Sequence, residues 1–355
     1  MSPPPGRESV RTRALSLDAL RGMAVCLMIE QHVGVWLWKS NHGTSLADIP
    51  LLVAFNALGG GAAPTFVTLA GIGSAMLANG IKALPNHVIA RRGLVLLLLG
   101  TLLNLLTPSW FSWGSWFVLH MMGFAIFTVV IWRRASTSVV LLCAVVVLVA
   151  TPFVHTMLDT PLSLSNDRMR RLDLPGGPLR LALAEGQFPA LPWMAFFLVG
   201  FACGRWFTHG HRNRIAALAV LSLAAGAVFA SATWWLGNAS PMRFSFYPAT
   251  PTFVMLLLGI VLLAVLAFDV LERNGALSPR HPLVTLGRSS LTLLLVHVVV
   301  FRELTRPLGL WRGLSVGETL TVILGTLLVC GWLSRAWQHA DYRFGAEWLV
   351  RRLSR

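Results

Sequence analysis

The chain has 355 residues, of which 55% are hydrophobic and only 12% charged, and its mean hydropathy is +0.68. A soluble domain carries about 25% charged residues, so composition excludes an ordinary soluble fold and points to an all-α, polytopic membrane helix bundle. The net charge of +15 does not mark a nucleic-acid binder, because no basic stripe with interleaved aromatics is present; arginines gather at the ends of apolar runs, where they hold loops in the cytoplasm.

In chain order, residues 1–15 read as a basic cytoplasmic tail. Apolar runs of about 17–25 residues, enough to cross a bilayer, follow near 16–38, 62–80, 88–107, 116–132, 137–157, 189–208, 214–236, 249–271, 282–301 and 315–337. That predicts about ten spans, with 49–58 as a further short or re-entrant segment and 339–355 as a second basic tail. The integral domain is thus 16–338. An even number of spans puts both termini on one side. With that side inside, the inner segments carry twice as many Lys and Arg as the outer ones, which predicts N-in and C-in.

The long hydrophilic loop 158–188 falls outside; it mixes Asp159, Asp167, Asp173 and Glu185 with arginines and reads as a structured cap or a functional loop. The 14 Trp lie mostly near span ends, as interfacial anchors do. Cys26, Cys143, Cys203 and Cys330 sit in apolar runs without metal-ligand or disulfide spacing, so no metal is expected.

The first span is the most informative. It carries Asp18, Arg21, Glu30 and His32, and ionisable groups within a span mark functional sites by default. At about 100° per residue, Arg21 and His32 are only about 20° apart around the helix, and Asp18 and His32 about 40°. His32 lies about 16 Å beyond Arg21 along the axis. The three form one polar stripe, with a cation at the inner mouth suited to an anion and an imidazole toward the outer side suited to proton transfer. Glu30 lies on another face.

These residues resemble the opening of the transmembrane acyltransferases: Leu17-Asp18-Ala19-Leu20-Arg21-Gly22, then His32 ten residues later. Further segments are similar in order. They are Ala63-Pro64 through Gly71, Arg91-Arg92 through Gly100, Leu119-His120 through Gly123, Phe188 through Trp193 with Gly200, Tyr247-Pro248 through Phe253, and Leu286-Gly287-Arg288 through His297. The nearest resemblance is to bacterial members of the heparan-α-glucosaminide N-acetyltransferase family, and a more distant one is to the acyltransferase-3 family.

The resemblance implies an enzyme that moves an acyl group, typically acetyl, from acetyl-CoA or another acyl-CoA in the cytoplasm to a hydroxyl or amine of a sugar-like acceptor on the far side. It makes His32 the first choice for general base, or alternatively a covalent carrier of the acyl group, working alone or with Glu30 or His42, since Gln31 stands where relatives often place a carboxylate. Asp18, Arg21, Arg91, Arg92 and Arg288 become donor-binding candidates, and His120 and His297 acceptor-side candidates, with Asn104 and Gln187 as further acceptor contacts. The expected partners are acyl-CoA, a glycan-like acceptor and the lipid bilayer of a bacterial inner membrane; a homodimer is one option for assembly. A proton-coupled transporter or flippase using the Asp18, Arg21, Glu30 and His32 path is the rival expectation.

Overall fold

The computed structural model describes residues 14–39, 58–80, 83–164, 171–236 and 243–355, with the side chain of Trp234 not described. His42 and most of the 49–58 segment lie outside the described residues. Besides a short turn of helix at Gly177–Arg180, the helices are α1 (Leu15–Leu37), α2 (Ala62–Asn79), α3 (Asn86–Leu106), α4 (Val118–Phe127), α5 (Val129–Trp132), α6 (Thr137–Met157), α7 (Ala190–Thr208), α8 (Arg212–Leu236), α9 (Pro251–Arg273), α10 (Pro282–Arg288), α11 (Ser290–Val298), α12 (Val316–Trp337) and α13 (Ala346–Leu353). The described residues contain no strand, only isolated bridges such as Trp38 with Leu314.

Every expected span coincides with a helix or a broken helix. Seven are long and apolar enough to cross a membrane: α2, α3, α6, α7, α8, α9 and α12. The pair from Pro282 to Leu304 makes an eighth if its 73° bend is one broken span. Val118–Trp132 is apolar but shorter, and α1 is 23 residues long but carries Asp18, Arg21 and Glu30.

Lipid tails are as apolar as leucine, so helices in a bilayer associate through close packing rather than through exclusion from water. The interior follows that rule. At the centre, α7 buries Trp193, Phe196, Phe197 and Phe201 completely. It meets α2 where Gly71 and Gly200 let the backbones touch: a Cβ on Gly71 would lie 2.2 Å from the Phe197 carbonyl oxygen, and one on Gly200 2.2 Å from that of Thr68. Only 11% of the α12 span is buried, against 83% of the α7 span, so α12 lies at the periphery of the bundle.

The bend at Ser289 leaves the first amide groups of α11 without helical partners. Glu347 of α13 satisfies them: its carboxylate accepts from Leu291 N at 2.6 Å, from Thr292 N at 3.3 Å and from the Thr292 hydroxyl at 2.7 Å. The segment expected as a basic tail is therefore partly a helix docked on the bundle. A second carboxylate does the same for α1, where Glu272 accepts from Leu15 N at 2.9 Å and Ser16 N at 2.8 Å.

Candidate functional site

Five of the described site residues fall into two groups, one at each end of α1: Asp18, Arg21 and Arg288, and His32 and His297. At the N-terminal end, Asp18 is 2% exposed and accepts from Arg21 at 3.4 Å and from Arg288 at 3.2 Å. The structure thus brings together three of the expected donor-binding residues. Here α1 crosses α10 with almost no gap: a Cβ on Gly22 would lie 1.9 Å from the Leu283 carbonyl oxygen, and one on Gly287 1.8 Å from that of Asp18. The two glycines of the Leu17–Gly22 and Leu286–Arg288 motifs make that crossing, and the ion pairs fasten it.

Arg91 and Arg92 are not in this group. Arg91 donates to the Arg355 carbonyl at 3.3 Å and Arg92 to the Ser354 hydroxyl at 3.4 Å, which ties α3 to the chain just beyond α13.

At the C-terminal end of α1 a cavity of about 660 Å³ opens, a volume within the usual range for small-molecule sites. On α1 it is lined by Met28, Gln31, His32, Val35 and Trp36. These positions follow the i, i+3, i+4, i+7 spacing of one helix face. The same face continues toward Arg21, but Val25 is fully buried there, and the cavity lining includes neither Asp18 nor Arg21. Other walls come from the residues before α2, the α3–α4 loop, the segment before α7, Phe246 and Tyr247, and the segment around Arg302, Trp311 and Arg312.

His32 is on the wall; behind it, His32 Nδ1 is 2.8 Å from His297 Nε2, and His297 Nδ1 is 2.8 Å from the Leu293 carbonyl oxygen. A carbonyl only accepts, so His297 Nδ1 carries a proton. A neutral His297 then has its lone pair on Nε2 and accepts from His32 Nδ1–H. In that neutral pair the lone pair left on His32 is at Nε2. The two imidazoles lie nearly coplanar, edge to edge, with centroids 5.1 Å apart and planes 9° apart, Trp36 stacks on His32 at 4.6 Å, and Trp110 meets His32 edge-on at 5.7 Å. Sequence placed His32 and His297 265 positions apart and only the fold pairs them.

Arg302, Trp110, Trp311 and Arg312 were not singled out from sequence. Arg302 lies 5.9 Å from Trp36, 5.6 Å from Trp110 and 4.2 Å from Trp311, measured to ring centroids, and donates to the Ser109 carbonyl at 3.0 Å. It therefore shares two tryptophans with His32. In the sequence these residues look like interfacial anchors and loop charges, so no local signal separated them.

The remaining candidates stand elsewhere. His120 accepts from Phe117 N at 3.1 Å and lies 3.5 Å from the Thr101 hydroxyl, capping α4 outside the cavity lining. Glu30 is 3% exposed, and neither carboxylate oxygen has a hydrogen-bond partner among the described residues. Asn104 donates to the Ser115 carbonyl at 2.8 Å and shapes the α3–α4 loop, while Gln187 lines the cavity.

Gln187 and its neighbours are held by a knot in the 158–188 loop. Glu185, fully buried, accepts from Arg180 at 2.8 and 3.0 Å and from the Thr160 hydroxyl at 2.8 Å, with Arg171 at 3.9 Å. Burial alone would raise the Glu185 carboxyl, but these hydrogen bonds and charges outweigh it and hold it below the usual carboxylate range. Arg180 is correspondingly raised, chiefly by its bond to Glu185.

A family model described as heparan-alpha-glucosaminide N-acetyltransferase, catalytic, matches residues 13–231, well over half of the chain. The chain belongs to that family. A second model, described as a protein of unknown function (DUF418), matches residues 201–355. No curated protein matches the sequence. The cavity straddles the two matched regions: His32 and Trp110 fall in the N-acetyltransferase match, and Leu294, Arg302 and Trp311 fall in the second. Phe246, Tyr247, Leu294, Arg302, Trp311 and Arg312 thus complete the cavity wall from beyond the N-acetyltransferase match.

Proposed function

We propose that the protein transfers an acyl group, typically acetyl, from an acyl-CoA thioester to a hydroxyl or amine of a sugar-like acceptor held in the cavity. The observation that carries this reading is His32 on the wall of that cavity, backed by its hydrogen-bond series to His297 and the Leu293 carbonyl, in a chain of an N-acetyltransferase family. The acceptor's apolar ring face stacks on Trp36, Trp110 or Trp311.

The acceptor O–H or N–H lies against His32 Nε2. As the acceptor lone pair attacks the thioester carbonyl carbon, its proton passes to Nε2. The His32 imidazolium that forms keeps its Nδ1–H bond to His297, which fixes the ring while the charge is present. The carbonyl oxygen becomes an oxyanion, and the Arg302 guanidinium is the cation placed to stabilise it. Collapse breaks the carbon–sulfur bond; the leaving thiolate takes the proton back from Nε2. The products are the acylated acceptor and free coenzyme A, and His32 returns to its starting tautomer.

In this reading the termini face the cytoplasm of a bacterial inner membrane, the cavity opens on the far side, and Glu30 and His42 are not required as the base's partner because His297 supplies one. The test is to incubate purified protein with radiolabelled acetyl-CoA and a panel of amino sugars and glycans. Label appearing on an acceptor is the expected result. No thioester consumption and no coenzyme A binding would overturn the enzyme reading in favour of transport, and a His32→Ala variant with full turnover would overturn the assignment of the base.

A further inference from the structure

Away from the cavity, at the end of the bundle that holds Asp18, a second hollow of about 260 Å³ lies between the α9–α10 loop and the end of α12. It is lined by Arg280, Arg335, Gln338 and His339, and by no carboxylate. Gln338 donates to the Pro279 carbonyl at 3.0 Å and so holds the two sides together. Most arginines at this end have a partner on the protein: Arg133 and Arg205 donate to backbone carbonyls, Arg212 pairs with Asp269, and Arg288 with Asp18. The side chains of Arg280, Arg335 and His339 make no hydrogen bond or ion pair to another described residue.

What leads into the hollow decides what it takes. At about 100° per residue, Leu324, Leu328, Trp332 and Arg335 fall within about 80° of one another on α12. The three apolar members are the outward face of a peripheral span: Leu324 is 58% exposed, Leu328 75% and Trp332 70%. They climb about 16 Å from Leu324 to Arg335, roughly half of the hydrocarbon thickness of a bilayer. Trp332 sits one turn below Arg335, at the level where tryptophan marks the membrane–water boundary. The stripe is therefore apolar along one bilayer leaflet and cationic at its surface, with a polar hollow at the cationic end.

We infer that this stripe and hollow form a binding site for one anionic phospholipid, its acyl chain along Leu324, Leu328 and Trp332 and its phosphate between Arg280 and Arg335. Arginine suits a phosphate through paired N–H donors, and basic hollows between spans are the kind of site that takes anionic headgroups. A zwitterionic lipid offers the same phosphate but brings an ammonium group toward two guanidiniums, so net charge sets the preference. Coenzyme A also carries phosphates, but it has no chain to cover the leucine and tryptophan ridge. The inference does not depend on the acyl-transfer reading.

The test uses the full chain purified in micelles doped with phosphatidylglycerol or phosphatidylcholine, with retained lipid counted by native mass spectrometry. The wild type should retain phosphatidylglycerol in preference. Arg280→Gln and Arg335→Gln should each weaken retention about fivefold, Arg335→Lys should keep most of it, and Leu328→Ser should weaken it with both arginines in place. Thermal melting of every variant reads folding independently, and these exposed side chains should leave it unchanged. Equal retention of the two lipids, retention unaffected by the arginine variants, or displacement of the lipid by coenzyme A would each overturn the assignment.

Discussion

At the N-terminal end of α1 a carboxylate and two guanidiniums pair with one another across a helix crossing, whereas at its C-terminal end two imidazoles pair and leave a lone pair beside a cavity. Both groups lie on one face of the same helix. The difference is in what surrounds them. Gly22 and Gly287 bring α1 and α10 into backbone contact around Asp18, so the polar groups there are consumed by one another. Around His32 the neighbours are large rings, Trp36, Trp110 and His297, that meet edge and face and leave about 660 Å³ open. A polar stripe in a membrane helix can therefore fasten the fold at one end and offer chemistry at the other, and side-chain identity does not say which.

The contrast can be broken most directly at His32. His32→Ala should lower acyl transfer roughly 10²–10⁴-fold while the melting transition of the solubilised protein stays in place; a lost transition with it would make His32 structural, like Asp18. At the other end, Asp18→Ala removes the carboxylate that Arg288 pairs with at a tight crossing and should cost about 3–5 kcal/mol of stability, read as a lower melting temperature and a poor yield of folded protein. Unchanged melting with a raised KM for acyl-CoA would instead make the N-terminal end a donor site.

A finer test is His297. His297→Phe keeps a ring against His32 but removes the acceptor for its Nδ1–H, so kcat should fall roughly 10–100-fold, as when a group that orients an imidazole is lost, with KM little changed. His297→Gln, which can still accept that bond, should recover part of the rate.

The smallest expected effect is in the 158–188 loop. The Glu185 carboxyl is held below its usual range, so the stabilisation it gives the loop is present above the pKa of an unfolded carboxylate and is lost as pH falls through the lower, folded value. Hydrogen-exchange protection of residues 171–188, corrected for the intrinsic rate at each pH, should be high at neutral pH and fall only under acid, and Glu185→Gln should show the low protection already at pH 7.

The sequence by itself determined the class of fold, because the length of an apolar run and the bilayer thickness are one-dimensional quantities: the runs near 62–80 and 249–271 could only be spans. It also determined that the first span is special, since helical periodicity puts Asp18, Arg21 and His32 on one face. Its ordered motifs also named the family. Only the tertiary structure decided which of those residues share a site. The partner of His32 is not the adjacent Gln31, nor Glu30 on another face, but His297 on a helix 265 positions away, and Arg302 and Trp311 reach the cavity from a segment that reads locally as a loop. Such pairings follow from how helices cross, and crossings are set by where glycines allow backbones to touch and bulky rings hold them apart, which no single helix encodes.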